Sequence, residues 1–327
     1  MDFRTILPIY EQDLKIEHQS GVCLIGSCFA EHIGQKLNEI KFKMLQSPFG
    51  ILYNPFSIAK SLERIITNQP FEKSDLVEHN GLWVSFEHHS RYADLNASLA
   101  LKKMNDSLNA AHHFLKDAKV LFISLGSAKI YRLKETEQVV ANCHKFPAVS
   151  FDYALAGKKD IVTTLANAME KLKDFNPQIH IIYTVSPVRH LKDGFLENQL
   201  SKSTLLLAVK ALQRGNKNVN YFPSYELLLD DLRDYRFYES DMVHPNKLAI
   251  EYIFNYFNQI YFKGSTRVII QQVQKINKAV NHRPFNLEGA QYQAHLNQTL
   301  KKIQDLKSKY PFIFFEKEEI ALNNALL

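Results

Sequence analysis

Largely apolar runs recur along the first two-thirds of the chain: "VCLIG" (22–26), "KMLQ" (43–46), "VLFISLG" (120–126), "IHIIYTV" (179–185) and "VNYFPS" (219–224). They are short and show little polar alternation, the pattern of strands covered on both faces in a parallel sheet. Between them, apolar positions recur at helical spacing over 29–39, 55–67, 95–117, 158–174 and 196–213, and a last helix over 246–262 follows "DMVHPN". Strands alternating with helices in this way predict βαβ units and an α/β fold, a three-layer α/β/α sandwich. In such sheets ligands bind at the carboxyl ends of the strands, so the loops that leave these five runs are where chemistry is expected.

Three segments break the alternation. Residues 70–94 hold the single Trp, Trp83, and read as an irregular insertion with short strands. Residues 129–142 ("KIYRLKETEQVVAN") read as a β-hairpin that turns at "KETE". Beyond residue 264, "TRVIIQQVQKINKAV" and "EGAQYQAHLNQTLKKIQDLKSKY" carry helix-period apolar positions, joined by "NHRPFN", whose Pro284 stops the first helix. The expected organisation is therefore an α/β domain over 1–263 and a C-terminal helical appendage over 264–327, packed on the core.

Composition narrows the class. The chain has 327 residues, 46% of them apolar and 23% charged, which is ordinary for a soluble globular protein. The formal net charge of +6 suits an anionic substrate, but no dense Lys/Arg stripe is present, so no nucleic-acid partner is expected. Three cysteines (Cys23, Cys28 and Cys143) do not make a disulfide scaffold and fit a reducing compartment. The N-terminus lacks a signal-peptide pattern, and no run approaches the roughly 18 apolar residues of a membrane span. A cytoplasmic protein with no membrane partner is expected. His88–His89 and His112–His113 are adjacent pairs without metal-ligand spacing, and no G-x-G-x-x-G follows a strand. Neither a metal nor a dinucleotide or other cofactor is expected.

Two stretches carry chemistry. In "GVCLIGSCFAEHIG" (21–34) a strand ends at Gly26 and a helix starts at once, with Ser27 and Cys28 in the turn. A helix N-terminus stabilises an anion, lowers a thiol pKa and offers N–H donors to an oxyanion. The plainer reading makes Ser27 a helix cap and Cys28 a small buried filler. In "YESDMVHPNKLAI" (238–250) Asp241 and His244 stand three apart before a helix, the spacing of an orienting carboxylate and an imidazole base. Alone, they read equally well as a turn residue and a surface histidine. Asn142 and His144 in "VANCHKFPA" can reach the strand ends, the former as an oxyanion donor, or else serve as loop residues. Arg189 in "TVSPVRH" can clamp an anion, although a surface salt bridge is the commoner role.

Occurring together and in this order, the two motifs resemble the SGNH (GDSL-like) hydrolase superfamily. More narrowly, "GSCFA" at 26–30 is similar to the motif that names the GSCFA family. So are "SPFGILYNP" (47–55), "SLGSAKIYR" (124–132), "ANCHK" (141–145), "TVSPVRH", "YFPSYELLLDDLRDYRFYESDMVHPN" and "NHRPFN", which extend the resemblance into the appendage. It implies a flavodoxin-like, mostly parallel five-stranded sheet with the site at its carboxyl edge. The superfamily pattern places its nucleophile third in Gly-Asp-Ser. Here that register puts Ser27 at the Asp position and Cys28 at the nucleophile position. The oxyanion glycine of the second block corresponds to Gly50, with Asn54 nearby. The third block, Gly-x-Asn-Asp in the superfamily, is "GSAK" here, with Ala128 where the amide is expected, so that Asn142 or Asn54 would replace that donor.

The function so implied is an acyl hydrolase (esterase) or acyltransferase. Cys28 or Ser27 would attack the ester, His244 serve as base and then acid, and Asp241 orient it. Gly50, Asn54, Asn142, His144 and Arg189 would bind substrate or oxyanion. The substrate would be an ester of a small acyl group, by family context carbohydrate-linked. A non-catalytic binding module that keeps the pocket is the competing expectation, motivated by the altered third block.

Overall fold

A computed structural model describes residues 4–285 and 289–326. Asn286 of "NHRPFN" and Glu288, at the head of the second appendage helix, lie outside the described residues. The chain opens with β1 (Val22–Gly26), α1 (Cys28–Glu39), β2 (Met44–Ile51) and α2 (Pro55–Thr67), followed by the hairpin β3 (Val77–His79) and β4 (Leu82–Val84). Next come α3 (Ala97–Asp117), β5 (Val120–Leu125), β6 (Lys129–Leu133), β7 (Val139–Val140), β8 (Phe151–Leu155), α4 (Lys158–Phe175) and β9 (His180–Val185). The chain continues through α5 (Phe195–Gln213), β10 (Val219–Tyr221), the single turn α6 (Ser224–Glu226), α7 (Lys247–Tyr261), α8 (Gly264–Val280), α9 (Ala290–Lys309) and α10 (Glu316–Leu326).

The main sheet has the order β10-β9-β5-β1-β2, and every pairing in it is parallel. Chain order therefore reverses between β1 and β5, the flavodoxin-type switch point that opens a crevice at the carboxyl ends. The apolar runs alternate between two cores. From β1, Cys23 and Ile25 face the layer of α2 to α5, and Val22 and Leu24 face α1 and α7. From β5, Leu121 and Ile123 join the first layer, and Val120 and Phe122 the second. All eight side chains are at most 1% exposed, which is why the runs show no polar alternation. Each such burial is worth roughly 1.5–3 kcal/mol for a large aliphatic side chain.

The hairpin expected over 129–142 forms as β6 and β7, but β8 adds a third strand, giving a separate antiparallel sheet β7-β6-β8. "FDYAL" is short and mostly exposed, so hydrophobic patterning did not reveal it. The strand expected at 43–46 runs on to Ile51 through an irregular register: Leu24 pairs with Gln46, yet Gly26 pairs with Ile51. Ser47 (φ 47°) and Gly50 (φ 81°) make that bend. A third apolar cluster joins α8, α9 and α10, with Val273, Ile303 and Phe315 fully buried. It meets the far end of α1 through a Lys41–Glu318 ion pair of 2.6 Å and an Asn277 Nδ2–H bond to the Glu39 carbonyl of 2.7 Å. α10 was not anticipated, because only Leu322 of its side chains is buried.

Candidate active site

At the switch point β1 ends on Gly26, whose φ of +130° and close approach to β5 only glycine accommodates: a Cβ there would lie 2.1 Å from the Ser124 carbonyl oxygen. This lets the next two residues diverge. Ser27 turns inward and is fully buried; its N–H donates to the Ser124 carbonyl (2.9 Å) and its hydroxyl pairs with the Ser124 hydroxyl (2.8 Å). It occupies the N-cap position of α1 without capping through its side chain. Its N–H is thus spent on β5 and its hydroxyl is engaged with that of Ser124, so it neither caps α1 through its side chain nor offers its N–H to an oxyanion.

Cys28 begins α1 and is half-buried. Burial pushes its thiol above the ordinary value, outweighing the Lys202 ammonium and the Phe29 N–H, which pull it down. The lowering expected from a helix N-terminus is present but is not the larger effect. Lys202 is the residue that motif reading missed. It is fully buried on α5, and its Nζ donates to the carbonyls of Gly126 (2.7 Å) and Ser186 (2.8 Å) at the ends of β5 and β9. Burial lowers its ammonium to about 7, against an opposing pull from Cys28. The available signal was positional: Lys202 falls on the α5 stripe of Asn198, Ser201, Leu205, Ala208, Val209 and Leu212, all buried.

Asp241 and His244 form a dyad. Asp241 Oδ1 accepts the N–H groups of Val243 and His244, both at 2.9 Å, and Oδ2 meets His244 Nδ1 at 2.6 Å. The two backbone N–H donors, with the imidazole added, hold the carboxyl down at about 2. Among the described residues the ring's Nε2 has no hydrogen-bond partner. His244 lies within electrostatic reach of His32, one turn beyond Cys28 on α1, and of His190 after β9. His190 is edge-on to Tyr53, with ring centroids 5.2 Å apart, and Tyr53 in turn feels the charge of Cys28. One cluster thus gathers Cys28, Tyr53, His190, Lys202 and the dyad from five separate segments.

The remaining expected site residues divide. Asn54 is buried as the α2 cap: Oδ1 accepts Ser57 N–H (2.8 Å) and Nδ2 donates to Ser57 Oγ (3.0 Å) and the Val140 carbonyl (3.2 Å). It has no donor left for an oxyanion. His144 is buried, its Nε2 bonded to the Ser85 carbonyl at 2.8 Å, so it holds the insertion rather than a substrate. Gly50 packs its α-carbon against the His89 side chain, with 2.2 Å between a built Cβ and the His89 Cβ. Asn142 is half-buried and uses Oδ1 to accept His144 N–H (2.9 Å). Arg189 makes no salt bridge among the described residues and lies near Tyr225 and Tyr238, so the surface ion pair is not formed. Ala128, at the altered third block, is buried, and its N–H donates to Ser201 Oγ (2.8 Å).

A cleft of about 490 Å³ adjoins the cluster, with Tyr53 and His190 in its wall and Asn142, Tyr131, Tyr153 and Lys192 around it. A larger groove of about 730 Å³ lies at the opposite end of α1, against α8 and α10, away from Cys28. Among the described residues no group of three His, Cys, Asp or Glu side chains is placed to hold a metal, and no helix is long and apolar enough to cross a membrane. Of the adjacent histidines, His88 is buried between Phe49 and Phe71, and His112 Nδ1 bonds the Ile65 carbonyl.

A parallel sheet in this order, with a Ser-Cys turn after its first strand and an Asp-x-x-His loop before α7, defines an α/β protein with a flavodoxin-type sheet. Within that class, the chain belongs to the GSCFA family, which it matches over residues 21–257; residues 273–327 match the family's C-terminal domain, "GSCFA domain protein, C-terminal domain". No curated protein matches it. Among solved structures it is similar to a carbohydrate esterase family 3 protein from Talaromyces cellulolyticus, with 8% identity, a TM-score of 0.35, and coverage of 79% of this chain and 99% of that one. A family 3 carbohydrate esterase from Clostridium thermocellum gives 10% identity and a TM-score of 0.35, covering 77% and 98%. An acetyl xylan esterase from the rumen bacterium Butyrivibrio proteoclasticus gives 12% and 0.38, covering 76% and 66%.

Proposed function

We propose that this protein is an acyl-transfer enzyme, an esterase or acyltransferase, with Cys28 as nucleophile. The observation that carries the reading is the Asp241–His244 dyad, closed at 2.6 Å and within electrostatic reach of His32, one turn beyond Cys28 on α1. A carboxylate on Nδ1 fixes the tautomer whose Nε2 lone pair accepts a proton. In the first half-reaction Cys28 Sγ bonds to the ester carbonyl carbon as its proton passes to His244 Nε2. The carbon–oxygen bond to the leaving group then breaks, and His244 returns the proton to the departing oxygen. Water or an acceptor alcohol next attacks the thioester, losing its proton to His244, and the thiol is restored. Because the thiol is held above its ordinary value, a base is needed to draw off its proton.

The cleft beside the cluster supports a polar, ring-bearing alcohol as leaving group or acceptor. The rings of Tyr131 and Tyr153 lie there tilted against each other, centroids 4.4 Å apart, and Lys129, Lys192 and Asp193 add hydrogen-bonding groups. Aromatic faces with flanking polar groups suit a carbohydrate. The test is hydrolysis of p-nitrophenyl acetate with mass analysis of the protein. An acetyl group should accumulate on Cys28, and both turnover and label should vanish in Cys28→Ala. Absence of turnover in the wild type, unchanged by His244→Ala, would favour a binding module instead.

A further inference from the structure

The attack of a thiolate on an ester places a full negative charge on the carbonyl oxygen, and that oxygen needs donors held ready for it. Most donors around Cys28 are already committed. Ser27 N–H goes to the Ser124 carbonyl, and the N–H groups of Gly126 and Ser127 both go to the Tyr53 carbonyl, at 2.8 and 3.0 Å. Ala128 N–H is held by Ser201, Lys202 spans two carbonyls, and the Asn54 amide is used within the α2 cap. His190 is different. Its Nε2 is sealed from solvent and has no hydrogen-bond partner among the described residues. Its backbone is pinned by a 2.9 Å bond from its N–H to Asn198 Oδ1, and its ring is braced edge-on by Tyr53. It lines the cleft, with Lys202 and His244 within electrostatic reach of its ring.

Resting on the acyl-transfer reading above, we propose that His190 is the side-chain donor that stabilises the oxyanion, through Nε2–H of a neutral imidazole. Burial, with a smaller contribution from the Lys202 ammonium, holds the ring neutral by lowering it to about 4. A neutral ring donates a hydrogen bond to the developing charge without giving up its proton, which leaves proton transfer to His244. His190 is thereby a catalytic residue distinct from the base.

Two reactions of the same sulfur test this. Acylation of Cys28 by p-nitrophenyl acetate passes through an oxyanion, whereas alkylation by iodoacetamide does not. His190→Phe, which keeps an aromatic ring against Tyr53 but has no donor, should slow acylation roughly 100-fold with alkylation unchanged within about threefold. His190→Gln restores an N–H donor at similar reach, should fold where the phenylalanine variant does not, and should acylate within about tenfold of wild type. Asn142→Ala, the competing donor, should have the smaller effect. Equal slowing of both reactions in His190→Phe would make the ring a partner of the thiol and overturn the proposal. So would acylation within about threefold of wild type in that variant, or a glutamine variant with less than about a tenth of wild-type acylation. Wild-type protein that never acquires acetyl on Cys28 would instead remove the acyl-transfer reading, and this assignment with it.

Discussion

The hydroxyl of Ser27 lies 2.8 Å from the hydroxyl of Ser124, across the switch point between β1 and β5, with both side chains fully buried. The bond ties the turn that presents Cys28 to the neighbouring strand. It also turns Ser27 away from the dyad. Ser27→Ala should therefore keep most of the esterase activity and lose stability, by about 1–3 kcal/mol for the buried hydroxyl left on Ser124. Urea denaturation and p-nitrophenyl acetate turnover measure the two separately. A Ser27→Ala protein that is fully stable and inactive would return the nucleophile to Ser27.

Gly26 carries the same turn from the backbone side. Alanine at this position would need φ of +130° and would drive its Cβ into the Ser124 peptide, 2.1 Å from the oxygen and 2.8 Å from the carbon. β1 and β5 would have to part at the centre of the sheet. Gly26→Ala should cost on the order of 3 kcal/mol or more and depress soluble yield. A variant with wild-type thermal unfolding would show that the strands yield there.

Much of this architecture was legible in the sequence, because strands covered on both faces announce themselves as apolar runs. The five runs became the five strands of the main sheet, and the Ser-Cys turn leaves the carboxyl end of β1 as the alternation implied. What escaped was decided by tertiary partners. Asn54 and Asn142 are both loop amides with oxyanion-donor chemistry, yet Ser57 on α2 and the Val140 carbonyl on β7 consume the donors of the first. Ser27 and Cys28 are adjacent and both nucleophilic, and only the geometry of β5 separates them. Lys202 looks like an ordinary helix lysine until the stripe it belongs to is seen to be buried. β8 and α10 stayed hidden because each buries too little to show a period.

Asp241 is half-exposed, so its value to the protein is chemical. Its Oδ1 closes the turn through two backbone bonds, which Asn can keep, while Oδ2 holds His244 Nδ1. Asp241→Asn would present an N–H to that nitrogen and favour the wrong tautomer. We expect kcat to fall by about 100-fold or more, with KM and thermal stability nearly unchanged. In the wild type the carboxyl ionises with a pKa of about 2, below its ordinary 3.8. Its interaction is fully present above 3.8 and is lost only as pH falls through about 2. Acid loss of activity at about pH 4–6 must then come from groups other than the Asp241 carboxyl.

Lys202 gives a prediction with a definite sign. Its folded-state value of about 7 lies below the ordinary 10.5, so between these the unfolded chain binds a proton that the folded protein has released. Stability therefore rises with pH across that window, by at most about 1.4 kcal/mol per unit for this one group. The cost of the buried charge is fully present below the window. In Lys202→Met that contribution is gone, so the stability of wild type relative to the variant should climb between about pH 6 and 8.5, below the range of thiol and tyrosine titration. Histidines titrate in both proteins and cancel in the difference. Lys202→Gln adds the chemical half: it can still donate to the Gly126 and Ser186 carbonyls but removes the cation that counteracts burial at Cys28. That cation is present only below about pH 7, so iodoacetamide alkylation of Cys28 at pH 6 should be slower than in wild type, with the two proteins converging near pH 8. A wild-type–minus–methionine stability difference that stays flat with pH, together with unchanged alkylation in the glutamine variant, would show that Lys202 only bridges the strand ends and sets no charge at the site.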